Sequence, residues 1–115
     1  MWHKRRYWGW YWTLLRTPWF CVKILKFHPD KQLSMQKHYL RKEFWIILWG
    51  KGEMKTGYKP SNGSEVFPGA VQYIPKEMFH QLLTADDPCY VLEFQWGEVM
   101  ENDILRVSEG GVRNE

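Results

Sequence analysis

The chain of 115 residues is long enough for one hydrophobic core and too short for two. Its 44% hydrophobic content, with eight Trp, six Tyr and six Phe, excludes a disordered chain. A formal charge of +3, from 16 basic against 13 acidic residues, lacks the concentrated basic face that nucleic acid asks for, so no such partner is expected.

In chain order, the first segment is MWHKRRYWGWYWTLLRTPWF, residues 1 to 20. Its basic start and apolar run have the outline of a signal peptide, but the run is mostly bulky aromatics, Arg16 follows, and no small-residue cleavage site appears. It is also far short of the ~20 apolar residues of a membrane span. The segment is therefore expected to pack on the domain, away from any membrane. Trp8, Trp10 and Trp12 would cover an open end or edge of the fold, or form a dimer contact. Cys21 and Cys89 stand apart without CxxC spacing, and are expected to be reduced thiols in a cytoplasmic protein.

Strand signals follow. CVKILKF (21 to 27) alternates, with Cys21, Lys23, Leu25 and Phe27 on one face. HPDK turns the chain into a second strand, QLSMQKH (32 to 38). FWIILW (44 to 49) is apolar throughout and predicts a strand buried on both faces, with Trp45 and Trp49 in the core. KTGYKPSNGSE (55 to 65) predicts a loop or hairpin tip. Short strands are expected within 67 to 75 and 79 to 85, then a strong one at 89 to 96 after the DDP turn. Residues 98 to 106 fit a short helix or an extended segment, and 107 to 115 a loose tail. Short strands at about 8–12-residue spacing, broken by Gly and Pro, predict a single all-β domain, a sandwich or barrel.

If 32 to 38 and 43 to 49 are neighbouring strands, Gln36 and His38 face the same way and Glu43 starts beside them. His80 is available as a fourth ligand. Two imidazoles, a carboxylate and an amide oxygen can hold a divalent first-row metal. Singly, each residue has an ordinary alternative: a hydrogen-bonded strand histidine, or solvated edge residues.

The spacing of these residues carries a resemblance. Residues 36 to 50 read Q-x-H-x4-E-x6-G, similar to the first cupin motif, H-x-H-x(3–4)-E-x6-G, with Gln36 for the first His. Residues 69 to 80 read G-x5-P-x-E-x2-H, similar to the second motif, with Glu77 at its usual Gly and Thr84 at the usual Asn beyond it. More narrowly, LSMQKHYLRKEFWIILWG resembles the LSLQxHxxRxExWxVxxG segment of the type II mannose-6-phosphate isomerase family, a small cupin domain also found fused behind mannose-1-phosphate guanylyltransferases. YWGWY, VKILKFHPDKQLS, YIPKEMFH and LEFQWGEVMENDILRVSE extend the resemblance over nearly the whole chain. At 115 residues there is no room for the nucleotidyltransferase, so guanylyltransferase activity is not expected.

The resemblance implies a jelly-roll β-barrel with one divalent metal near its mouth, zinc foremost, with manganese, nickel, cobalt and iron also suited. Gln36, His38, Glu43 and His80 match the ligand positions. It implies interconversion of mannose 6-phosphate and fructose 6-phosphate. The candidate base is Glu93, which shares a strand face with Gln95; its alternative is a carboxylate satisfied within the barrel. Arg41 and Arg106 match arginines suited to the hexose phosphate, and Arg113 matches more loosely. A homodimer is a further expectation. Glu77, Thr84 and Asn102 depart from the pattern, and the turn at Glu77 is expected to be reshaped, since a left-handed glutamate would cost about 1 kcal/mol. Two other readings stay open: a cupin that binds a sugar or sugar phosphate without turnover, and a cupin enzyme with another small substrate.

Overall fold

The computed structural model describes residues 3–57, 63–100, 102–106 and a strand at 111–112. Every regular element among them is a strand: β1 (His3–Arg6), β2 (Gly9–Arg16), β3 (Phe20–Phe27), β4 (Lys31–Gln32), β5 (Gln36–Lys37), β6 (Arg41–Gly50), β7 (Gly52–Gly57), β8 (Ser64–Val66), β9 (Val71–Ile74), β10 (Phe79–Leu83), β11 (Cys89–Gly97), β12 (Leu105–Arg106) and β13 (Gly111–Val112). All pairs are antiparallel. One sheet runs β1-β2-β3-β11-β6-β9. The other runs β12-β5-β10-β4-β13, with β7 on β10 and β8 on β7. The expected all-β jelly roll is the observed fold.

The interior between the sheets changes character along each strand. On β11, Cys89 and Val91 point into an apolar cluster with Leu25, Phe27, Ile47 and Leu82, while Glu93 and Gln95 on the same face point into a polar half. The ladder keeps neighbours in step: Val91 pairs with Leu25 and Ile47, Glu93 with Lys23 and Trp45, Gln95 with Cys21 and Glu43. Because strand side chains repeat every two residues, one shared register places all the polar inward groups together. Cys21 and Cys89 lie at opposite ends of these ladders, both buried and both free thiols.

Several expectations need correction. The N-terminal aromatic segment is two strands of the sheet itself, because GWYWT pairs residue for residue with β3 before a register shift between Thr13 and Leu15. Trp8 and Tyr11 turn inward, Trp8 stacking on Phe27 at 4.4 Å. Gly9 permits this, since a Cβ there would meet the Lys26 carbonyl oxygen at 1.8 Å. Residues 32 to 38 are not one regular strand: Gln32 pairs with Leu83 and Gln36 with His80, four residues against three. The extra residue is a bulge, and Leu33, Ser34, Met35 and Gln36 are all buried instead of alternating.

β6 is not buried on both faces. Ile47 pairs with Val91 and Trp49 with Tyr90, so Leu48 is an inserted residue, and it and Trp49 are 44% and 59% exposed. Trp45 is in the core as expected; Trp49 is not. The 55 to 65 stretch follows the hairpin alternative: β7 runs on to Gly57 against β10, and β8 returns along it. Of the two readings for 98 to 106 the extended one holds among the described residues, with β12 pairing with β5, and part of the tail pairs as β13 with β4.

The turn at Glu77 keeps the left-handed geometry, with φ 64°. It is not reshaped, because the Glu77 amide donates to the His38 carbonyl at 2.7 Å and Met78 N–H closes the turn on Pro75. That bond fixes the backbone beside a candidate ligand. Thr84 is fully buried and ties down the 28–31 turn, its hydroxyl bonding the His28 carbonyl and accepting from the Lys31 amide.

Candidate metal centre

His38, Glu43 and His80 converge in the polar half, each offering one ligand atom, all within 4.8 Å of one another. Glu43 is 1% exposed on β6, His80 is buried on β10, and His38 lies just past β5. His38 Nδ1 lies 2.5 Å from the Asp103 carbonyl oxygen and His80 Nδ1 3.4 Å from the Met78 carbonyl oxygen. A carbonyl only accepts, so Nδ1 carries the proton in both rings and Nε2 presents its lone pair. These Nε2 atoms sit 3.3 Å and 3.6 Å from the two Glu43 carboxylate oxygens.

Two lone pairs facing a carboxylate need a cation or donor between them. Trp45 Nε1–H donates to Glu43 Oε1 at 3.1 Å, and the Arg41 guanidinium donates to Glu43 Oε2 at 2.9 Å and to His38 Nε2 at 3.2 Å. His80 Nε2 and Glu43 Oε1 face each other at 3.6 Å. This acceptor-only set fits a divalent first-row cation. Gln36 stands directly opposite His80 in the ladder and lines the same cavity, so its amide is at hand as a further oxygen ligand.

Burial lowers the proton affinity of both imidazoles, and that of His80 falls to about 4, so both are neutral and able to ligate at neutral pH. Burial alone would raise Glu43, but His38, Arg41 and His80 around it, with a hydrogen bond from Glu93, hold it below the usual carboxylate range. Glu93 goes the other way. Burial first, and then the Glu43 charge, push its carboxyl up. Its Oε1 accepts from Gln95 Nε2 at 2.6 Å.

The expected residues thus line one cavity: Gln36, His38, Glu43, His80, Glu93, Arg41 and Arg106. Arg106 pairs with Gln36 on the far side of β5 and is exposed. Arg113 lies outside the described residues. Sequence reasoning missed the role of Asp103, whose carboxylate accepts from the Tyr39 and Leu40 amides at 2.8 and 2.9 Å while its carbonyl orients His38. It also missed Ser34, Gln95 and Lys23 as cavity residues. For Lys23 there was a signal: a lysine at an inward position between Cys21 and Leu25.

Residues 1–109 match the family described as mannose-6-phosphate isomerase C-terminal. The chain belongs to this family. Among curated proteins it is similar to a mannose-1-phosphate guanylyltransferase of Sinorhizobium fredii, 35% identical over 112 residues, covering 96% of this chain and 21% of that protein. An Escherichia coli mannose-1-phosphate guanylyltransferase is 34% identical, with 93% and 23% covered. The chain therefore spans between a fifth and a quarter of the length of these relatives. Among solved structures it resembles a sugar phosphate isomerase of the cupin superfamily from Silicibacter pomeroyi, with TM-score 0.60, 20% identity, and 68% of this chain and 50% of that one covered. The family fold is the cupin barrel, and no described helix of this member is long and apolar enough to cross a membrane.

Proposed function

We propose that this cupin is a metal-dependent sugar-phosphate isomerase that interconverts mannose 6-phosphate and fructose 6-phosphate. The observation that carries this is the acceptor-only His38–Glu43–His80 cluster with the raised carboxyl of Glu93 against it, in one cavity. A bound divalent ion, zinc in the first instance, would be held by His38, Glu43, His80 and Gln36, and would polarise the C1 and C2 oxygens of the open-chain sugar.

The chain's own residues account for the rest. Glu93 takes the proton from C2 and returns it to C1, while the hydroxyl proton moves between O2 and O1, so the aldose becomes the ketose with no net loss. A carboxyl raised by burial suits both halves of that transfer. Gln95 Nε2 orients it. Arg41, braced on Glu43 and His38, and Arg106, on the edge strand, contact the substrate. The lining carries Arg6, Lys23, Arg41 and Arg106 against Glu43 and Glu93, an excess of positive charge that favours a phosphorylated sugar over a neutral one. The proposed setting is the cytoplasm, in keeping with two buried free thiols.

The test is formation of fructose 6-phosphate by protein stripped with a chelator and then given back zinc, manganese or cobalt, beside His80→Ala. Activity that appears only with metal, and only in the wild type, is expected. Tight binding of mannose 6-phosphate without conversion would leave a binding cupin, and no binding at all would point to another substrate.

A further inference from the structure

Resting on the isomerase reading, we infer that the substrate's phosphate is held at the end of the cavity built by Lys23, Ser34 and Arg6, away from the metal ligands. Lys23 is 7% exposed on the inward face of β3 and lines the cavity. Its Nζ lies 4.5 Å from the centre of the Tyr11 ring, and Arg6 Nη2 donates to the Tyr11 hydroxyl at 3.4 Å, so one tyrosine links both cations. Lys23 and Arg6 thus put two cations on one wall of the cavity, and across the ladder Lys23 faces Glu93.

Ser34 supplies the independent observation. Its hydroxyl is buried against the same cavity and has no hydrogen-bond partner among the described residues. A buried hydroxyl left unpaired costs about 1–3 kcal/mol, and a phosphate oxygen would satisfy it. The bulge that buries Ser34 is held in place by its amide, which donates to the Tyr7 hydroxyl at 3.0 Å. Lys23 on β3 and Glu43 on β6 are separated by β11, two strand spacings or roughly 10 Å of backbone. That separation suits a six-carbon sugar with its carbonyl at one end and its phosphate at the other. Arg41, bonded to Glu43 and His38, stands at the metal end of the cavity.

Titration calorimetry of the chelator-treated full chain with inorganic phosphate tests this. Lys23→Met should weaken phosphate about tenfold or more and Ser34→Ala about threefold. Lys23→Arg should restore most of the affinity, which guards against a folding defect, and Lys42→Met on the outer face should have no effect. Zinc binding should be unchanged in all of them. Phosphate affinity that survives Lys23→Met, or falls equally with Lys42→Met, overturns the subsite; if the wild type still converts mannose 6-phosphate, the isomerase reading stands alone. A wild type that binds neither phosphate nor mannose 6-phosphate overturns both.

Discussion

Asp103 illustrates how much of the centre depends on a residue outside the ligand set. Its carboxylate accepts two successive amides, at Tyr39 and Leu40, and this fixes the carbonyl that receives the His38 Nδ1 proton. With that proton pinned, Nε2 is the atom left for a cation. Asp103→Ala should therefore leave a folded protein whose zinc affinity, by competition with a chromophoric chelator, falls about 10–100-fold. His80 gives a second expectation at this scale. Burial lowers it from 6.5 to about 4, so the unfolded chain takes up its proton first as the solution is acidified. Metal-free protein should hold its full His80-linked stability above pH 6.5 and lose on the order of 3 kcal/mol as pH falls toward 4. Urea denaturation across that range should show a flatter profile for His80→Gln. Neither imidazole's tautomer was readable in the sequence, because both depend on carbonyls brought up by the fold.

Among the elements, the strands with strict alternation were legible and the bulges were not. β3 and β11 announce themselves through CVKILKF and CYVLEFQW, and the ladder between them follows the register. β7 has only Met54 as an inward apolar anchor, so its end, KTG at 55 to 57, reads as part of a loop or hairpin tip. The insertion at Leu48 turns Trp49 outward, and the one at Leu33–Met35 buries Ser34; a single added residue leaves no compositional mark. The turn at Glu77 went the other way. Its left-handed shape is retained because the bond to His38 and the cradle of Pro75 and Met78 outweigh the glutamate's steric preference. Glu77→Gly should stabilise the protein by up to about 1 kcal/mol in chemical denaturation, since glycine relieves that strain while adding some unfolded-state entropy. An unchanged or lower midpoint would mean that the turn is not strained.

For the molecule as a whole, the division of the barrel interior is the organising fact. One register sends Val91, Leu25 and Ile47 into an apolar half that anchors the sheets. The same register, two residues on, sends Lys23 and Glu93 into a polar half, with Gln95 and Glu43 in the next inward row. The motif spacing made the ligand set legible, because His38, Glu43 and His80 carry it on separate segments at fixed offsets. Ser34 was silent, and Lys23 signalled only as a lysine at an inward position, because their meaning depends on a cavity wall drawn from strands distant in sequence. The central claim is that this wall moves a proton between two carbons of a metal-held sugar phosphate. Proton NMR of mannose 6-phosphate in D2O with zinc-loaded protein tests it most directly. The wild type should erase the C2 proton signal as fructose 6-phosphate appears, and Glu93→Gln, with zinc still bound, should do neither. A C2 proton that persists in the wild type with zinc demonstrably bound, or exchange undiminished in Glu93→Gln, would contradict it.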